Sequence, residues 1–143
     1  KQRIPYAAGC IGVAIKAQEM AIGYVPQRET FGAPLSSRQS IQWMLVDNEI
    51  DIKQSLWITL EAAAKAERGE NFRKEAAMAK LVATEAGGRV VDRCMQMFGG
   101  LGVAKDLPFE RWFREMRIRR IGEGPSEVQR HVIARELLGS SLR

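Results

Sequence analysis

The sequence lacks a long hydrophobic run, carries only two cysteines and one histidine, and has no useful stretch in which polar and apolar residues alternate. Each shortage excludes a class of protein. The longest apolar run, residues 6–15, is broken by glycines and falls well short of the ~18 residues a bilayer span requires, so no transmembrane helix is expected. Cys10 and Cys94 sit in apolar periodic segments, outside any CxxC or Cys/His cluster. They read as buried free thiols, which points to a reducing compartment and gives no metal site. His131 has no acid or cysteine patterned around it and is expected on a wet face. The absence of period-two alternation argues against strands. GxGxxG and Walker sequences are missing, and "GGLG" at residues 99–102 follows a helical stretch, the wrong context for a Rossmann turn.

What is present is an ordinary folding composition. Of the 143 residues, 45% are apolar and 27% are charged. That suits one domain burying ~68% of its unfolded surface. The net charge of +5 and the cluster Arg111, Arg114, Arg117, Arg119 and Arg120 raise the question of nucleic acid. Yet Phe109, Trp112, Phe113 and Met116 recur at i, i+3, i+4 and i+7, so these arginines read as the wet side of an amphipathic helix and no nucleic-acid partner is expected.

Helical periodicity organises the rest. Ile4, Ala8, Ile11, Ile15, Ile22 and Val25 predict a first helix over 4–27. Gly32 and Pro34 force a loop. Ile41, Leu45, Asn48, Ile52 and Leu56 predict a second helix from 36 or 37 to 68. A third, over 72–98, turns Ala77, Leu81, Val82, Val91, Cys94 and Met95 inward and stops at the glycines of "GGLG". Shorter helices follow over 108–117 and 125–138. The alanines of 62–66 and 76–79 suit close helix approach. The fold expected is all-α, an up-and-down four-helix bundle with an additional short helix.

One carboxylate stands apart. In "RRIGEGPSEVQR", Glu123 lies between Gly122 and Gly124, just ahead of Pro125, Ser126 and Glu127, which look like a helix opening. On these residues alone Glu123 is either a helix-start charge, contributing about 0.3–1 kcal/mol, or a chemical tool.

Together, "RETFGAPL", "QMFGGLG" and "IGEGPSEVQR" resemble the C-terminal helical domain of the acyl-CoA dehydrogenase flavoprotein family, over essentially the whole chain. The resemblance implies a domain over 1–143, with the family's N-terminal helical and middle β-domains absent from this chain. It implies FAD as cofactor. Arg28 would reach the pyrophosphate of an FAD bound chiefly by a neighbouring subunit, where a planar five-donor cation suits a diphosphate. Thr30, Phe31 and Arg38 would lie against the nucleotide, and Gln96 and Gly100 would approach phosphate and ribose oxygens. Pro125 and Glu127 occupy two further FAD-contact positions, usually Thr and Gln in the family.

Glu123 falls on the family's catalytic base. It would take the α-proton of an acyl-CoA thioester while the β-hydrogen leaves as hydride to the flavin, with the base's own backbone N–H helping to polarise the thioester carbonyl. Arg3 would position that base. Some members carry the base one residue before this arginine, where Gln2 stands here. Gly122 replaces an often aromatic residue, which suggests a wider acyl pocket. The implied partners are acyl-CoA, an electron-transfer flavoprotein, and further copies of the chain as a dimer of dimers. The implied location is the bacterial cytoplasm or the mitochondrial matrix. An acyl-CoA oxidase of the same fold and a non-catalytic helical oligomerisation module are the alternatives.

Overall fold

The structure, a computed structural model, describes residues 2–139; residues 1 and 140–143 of the expected domain lie outside the described residues. Three long helices, α1 (Arg3–Tyr24), α2 (Gln39–Glu67) and α3 (Arg73–Phe98), are followed by α4 (Gly100–Val103), α5 (Phe109–Arg119) and α6 (Ser126–Leu138). The all-α bundle of the sequence reading is present. Its centre is α3, against which α1, α2, α5 and α6 all pack. Among the described residues no helix is long and apolar enough to cross a membrane.

The small residues decide which face of α1 turns inward. Its buried positions are Ala7, Cys10, Ile11, Ala14, Ala17, Gln18 and Ala21. Ala8 is exposed, and Ile15 and Ile22, part of the apolar period that predicts this helix, are 38% and 52% exposed. The arrangement has a physical cause: short side chains let α1 and α3 approach closely. At Gly87 of α3 an added Cβ would lie 3.6 Å from the Cys10 carbonyl and 3.0 Å from Met116 Sδ of α5. His131, as expected, is exposed, and both cysteines are buried and free.

A polar seam ties the three long helices. Gln18 Nε2 donates to the Leu45 carbonyl at 3.0 Å, and Asn48 Nδ2 donates to Gln18 Oε1 at 3.0 Å. Asp51 accepts from Arg89 Nη2 at 2.6 Å and from Arg93 Nη1 at 2.8 Å. Burial alone would raise the Asp51 carboxyl, but the hydrogen bonds and charges of the two arginines outweigh it and hold the group below its ordinary value.

Two departures concern loops. The expectation of no strands fails at β1 (Glu29–Thr30) and β2 (Ala33–Pro34), an antiparallel pair too short for any alternation to register. Phe31 at φ 49° and Gly32 at φ 74° form its turn, with the two left-handed residues that match hairpin twist. The glycines of 99–102 end α3 as expected, with Gly99 at φ 61°, but the chain then makes the one-turn helix α4. There Gly102 is obligatory, since a Cβ would sit 2.6 Å from the Met95 carbonyl oxygen.

Candidate active site

The connection between α5 and α6 carries Glu123 in an uncommon conformation. Its φ is 55°, and that of Gly124 is 88°. For a residue with a Cβ the left-handed region costs about 1–2 kcal/mol, so something must hold it there. Four hydrogen bonds converge on the carbonyls of this loop. Gln129 Nε2 donates to the Glu123 oxygen at 3.0 Å and to the Gly124 oxygen at 2.8 Å. Lys80 Nζ donates to the Gly124 oxygen at 2.8 Å and to the Arg120 oxygen at 3.3 Å. The flanks are fixed through Glu85, which accepts from Ser126 Oγ at 2.6 Å and pairs with Arg120 at 3.0 Å. Among the described residues the Glu123 N–H donates to no protein acceptor.

Lys80 and Gln129 are fully buried, and the sequence reading assigned neither a role. A signal existed for Lys80: it stands three residues after Ala77 and three before Ala83, on the inward face of α3. Burial pushes its ammonium pKa down. Tyr6 was also missed. Its ring lies 5.9 Å from Lys80 Nζ and 5.1 Å from the Arg119 guanidinium carbon.

Tyr6 also occupies the space beside Gly122. A Cβ there would fall 2.6 Å from the Tyr6 hydroxyl oxygen, so the space left by the glycine is filled from α1. Gly124 is required twice over, by its φ and by Gln129 Nε2, which would lie 2.8 Å from an added Cβ.

A cleft of about 510 Å³ opens beside this loop, lined by Glu123, Arg3, Gln2, Asn71, Phe72 and Arg73 among others. The structure thus brings the expected base, its expected positioning arginine and the glutamine at the alternative base position to one cavity. A second cleft, of about 390 Å³, joins Arg28, Thr30, Gln96 and Gly100. Tyr24 and Phe98 also line it, stacked with ring centroids 4.1 Å apart. Among the described residues the Arg28 guanidinium has no protein acceptor, and a Cβ on Gly100 would meet nothing within 4 Å. A free fork of donors beside bare backbone fits the phosphate and ribose of FAD.

The remaining expected contacts are dispersed. Phe31 is fully exposed at the hairpin tip, and Arg38 Nη2 donates to the Thr30 carbonyl at 2.5 Å, bracing the hairpin. Pro125 and Glu127 lie at the start of α6, next to Glu123 in the chain and outside the lining of the Arg28 cleft.

The comparisons with known proteins agree with this architecture. Residues 1–138 match the model of the acyl-CoA dehydrogenase C-terminal domain. The chain is 42% identical over 138 residues to the mitochondrial short-chain specific acyl-CoA dehydrogenase of Bos taurus, covering 96% of this chain and 34% of that protein. It is 40% identical over 136 residues to the 3-(aryl)acrylate reductase of Clostridium sporogenes, covering 95% of this chain and 36% of that one. Butyryl-CoA dehydrogenase from Megasphaera elsdenii superposes with a TM-score of 0.92 at 38% identity, over 95% of this chain and 36% of that structure. The FAD complex of PigA superposes at 0.88 and 26% identity, over 92% and 34%. The chain spans about one third of the length of the curated relatives it matches. It belongs to the acyl-CoA dehydrogenase family, in the part that forms the C-terminal helical domain.

Proposed function

We propose that residues 1–143 are the C-terminal domain of a flavin-dependent acyl-CoA dehydrogenase and that Glu123 is the base of its α,β-dehydrogenation. The observation that carries this reading is the placement of Glu123 on the cleft that Arg3 and Gln2 also line, with its backbone N–H free of any acceptor among the described residues. The carboxylate takes the α-proton of the thioester. The free N–H donates to the thioester carbonyl, stabilising the charge that gathers there as the proton leaves. Arg3, the cation of this cleft nearest in the chain to Gln2, steadies the Glu123 carboxylate. Bound FAD supplies the acceptor for the β-hydrogen as hydride. Arg28, Thr30, Gln96 and Gly100 would hold phosphate and ribose oxygens of the FAD bound chiefly by a neighbouring subunit, with Phe31 offered at the hairpin tip and Arg38 keeping that hairpin in shape. Pro125 and Glu127 bring no cation or amide donor to a diphosphate.

The electrons pass to an electron-transfer flavoprotein, in the bacterial cytoplasm or the mitochondrial matrix. Copies of the chain assemble as a dimer of dimers. The exposed Trp43, Val46, Ile50, Trp57 and Leu60, which follow one stripe of α2, support self-association.

The test is Glu123→Gln in the full-length enzyme. FAD content and acyl-CoA binding persist, while anaerobic bleaching of the flavin by substrate slows by at least ~10²-fold, the low end for a positioned base. Rapid bleaching by this variant overturns the assignment. Oxygen uptake without an added acceptor identifies an acyl-CoA oxidase instead.

A further inference from the structure

Lys80 is an unusual residue to find inside an alanine-rich helix. It is fully buried, and among the described residues no carboxylate lies within ion-pairing distance of its ammonium. A buried ammonium without a carboxylate is strongly unfavourable, and a lysine needed only to fill space would be better as methionine. Its donors go to the Gly124 and Arg120 carbonyls, and the face of Tyr6 lies on another side. The buried Gln129 converges on the same loop from α6, taking the Glu123 and Gly124 carbonyls with one amide nitrogen. The two side chains share the Gly124 oxygen. They therefore fix both peptide planes that follow the Glu123 Cα. A Cα held at φ 55° with the next two peptides fixed has one direction left for its Cα–Cβ bond.

We infer that Lys80 and Gln129 are positioning residues that hold the Glu123 carboxylate and its free N–H in the geometry proton abstraction requires, an inference that rests on the reading of Glu123 as the base. Neither needs to touch substrate. Their action is to remove the alternative loop conformations in which Glu123 would return to φ < 0 and its carboxylate would leave the cleft. A misplacement of about 1 Å at a reacting group can cost 10²-fold in rate, so loss of either anchor should act on the chemical step well before it unfolds the bundle.

The experiment compares Lys80→Met, Gln129→Met, Glu123→Gln and the double variant Lys80→Met/Glu123→Gln in the full-length holoenzyme, with Ile52→Ala as a core control remote from the loop. The readouts are anaerobic flavin reduction at saturating acyl-CoA, acyl-CoA binding and thermal stability. The expected result is a fall of about 10²-fold in the limiting reduction rate for each methionine variant, with acyl-CoA binding changed less than about threefold. The double variant should be slower than Glu123→Gln alone by clearly less than the loss Lys80→Met causes in the wild-type background, because the lysine acts through residue 123 and only the placement of its N–H is then left to lose. Ile52→Ala should lose stability and keep its rate. Methionine variants that reduce flavin at the wild-type rate, while Glu123→Gln is slow, overturn the inference and leave the base assignment intact. A double variant slower than Glu123→Gln by a further ~10²-fold also overturns it, since the lysine would then act elsewhere. Fast reduction by Glu123→Gln removes the base reading itself. If Lys80→Met does not fold, Gln129→Met, which removes two hydrogen bonds and no charge, decides the matter alone.

Discussion

Glycine in place of Glu123 should separate stability from chemistry, because the two respond with opposite sign. At φ 55° the glutamate bears a left-handed strain of about 1–2 kcal/mol that glycine does not feel. Against this stands the larger backbone entropy glycine contributes to the unfolded chain, about 0.5–1 kcal/mol. The hydrogen bonds that anchor the loop end on main-chain oxygens of residues 120, 123 and 124, so they survive the change. The net expectation is a stabilisation between zero and about 1.5 kcal/mol. With urea slopes of about 1–3 kcal/mol/M, a 1 kcal/mol gain would move the midpoint upward by roughly 0.3–1 M. Helical circular dichroism of the 143-residue chain in urea reads this directly, and anaerobic flavin reduction by the full-length variant should be lost. A destabilisation of 1 kcal/mol or more would refute the reasoning. It would mean that the glutamate side chain supports the fold, as a helix-start charge would, and that its backbone is not under strain.

Three further predictions follow from the helices. Asp51→Asn should destabilise the chain by roughly 2–3 kcal/mol, below the ~3–5 of a fully buried pair because half of the Arg89 side chain stays in water. The Asp51 carboxyl titrates lower in the folded than in the unfolded chain, so its contribution is complete above about pH 5 and disappears as pH falls below ~4 through the folded value; a flat stability profile from pH 6 to 3 relative to Asp51→Asn would contradict this. Cys94, whose thiol is pushed up to about 12 mainly by burial, should resist alkylation at pH 8 in the native chain and react promptly in urea. Trp57→Glu, at a position 67% exposed, should leave helical content unchanged and shift the sedimenting species toward monomer; an unchanged distribution would place the contact between copies elsewhere.

The three loops of the candidate site were legible through their joint resemblance to one family; by its own residues Glu123, between two glycines and ahead of a proline, read equally as a helix-start charge. The register of α1 was not legible. Counting apolar residues at helical spacing favours bulky side chains, and here the seam with α3 is built from Ala7, Ala14, Ala17 and Ala21, leaving Ile15 and Ile22 outside. The anchors of the Glu123 loop were hidden for a related reason. Lysine and glutamine at inward positions read as interruptions of a pattern, and their role becomes apparent only when the chain brings residues 80 and 129 against the carbonyls of 120–124. Tyr6 and Gly122, complementary in volume, are 116 positions apart in the chain (122 − 6), and nothing local to either announces the other.

The central helix α3 also fixes a length. Lys80, near its first turns, meets the Glu123 loop, and Gln96, in its last turn, lines the cleft of Arg28. The sixteen steps between them (96 − 80), at 1.5 Å each, make a rod of about 24 Å. Inserting a single residue between these positions would lengthen the rod by about 1.5 Å and rotate one end by about 100° against the other, so that no adjustment of the loops could keep both clefts in register. The interior of α3 should therefore accept changes of side chain far more readily than changes of length.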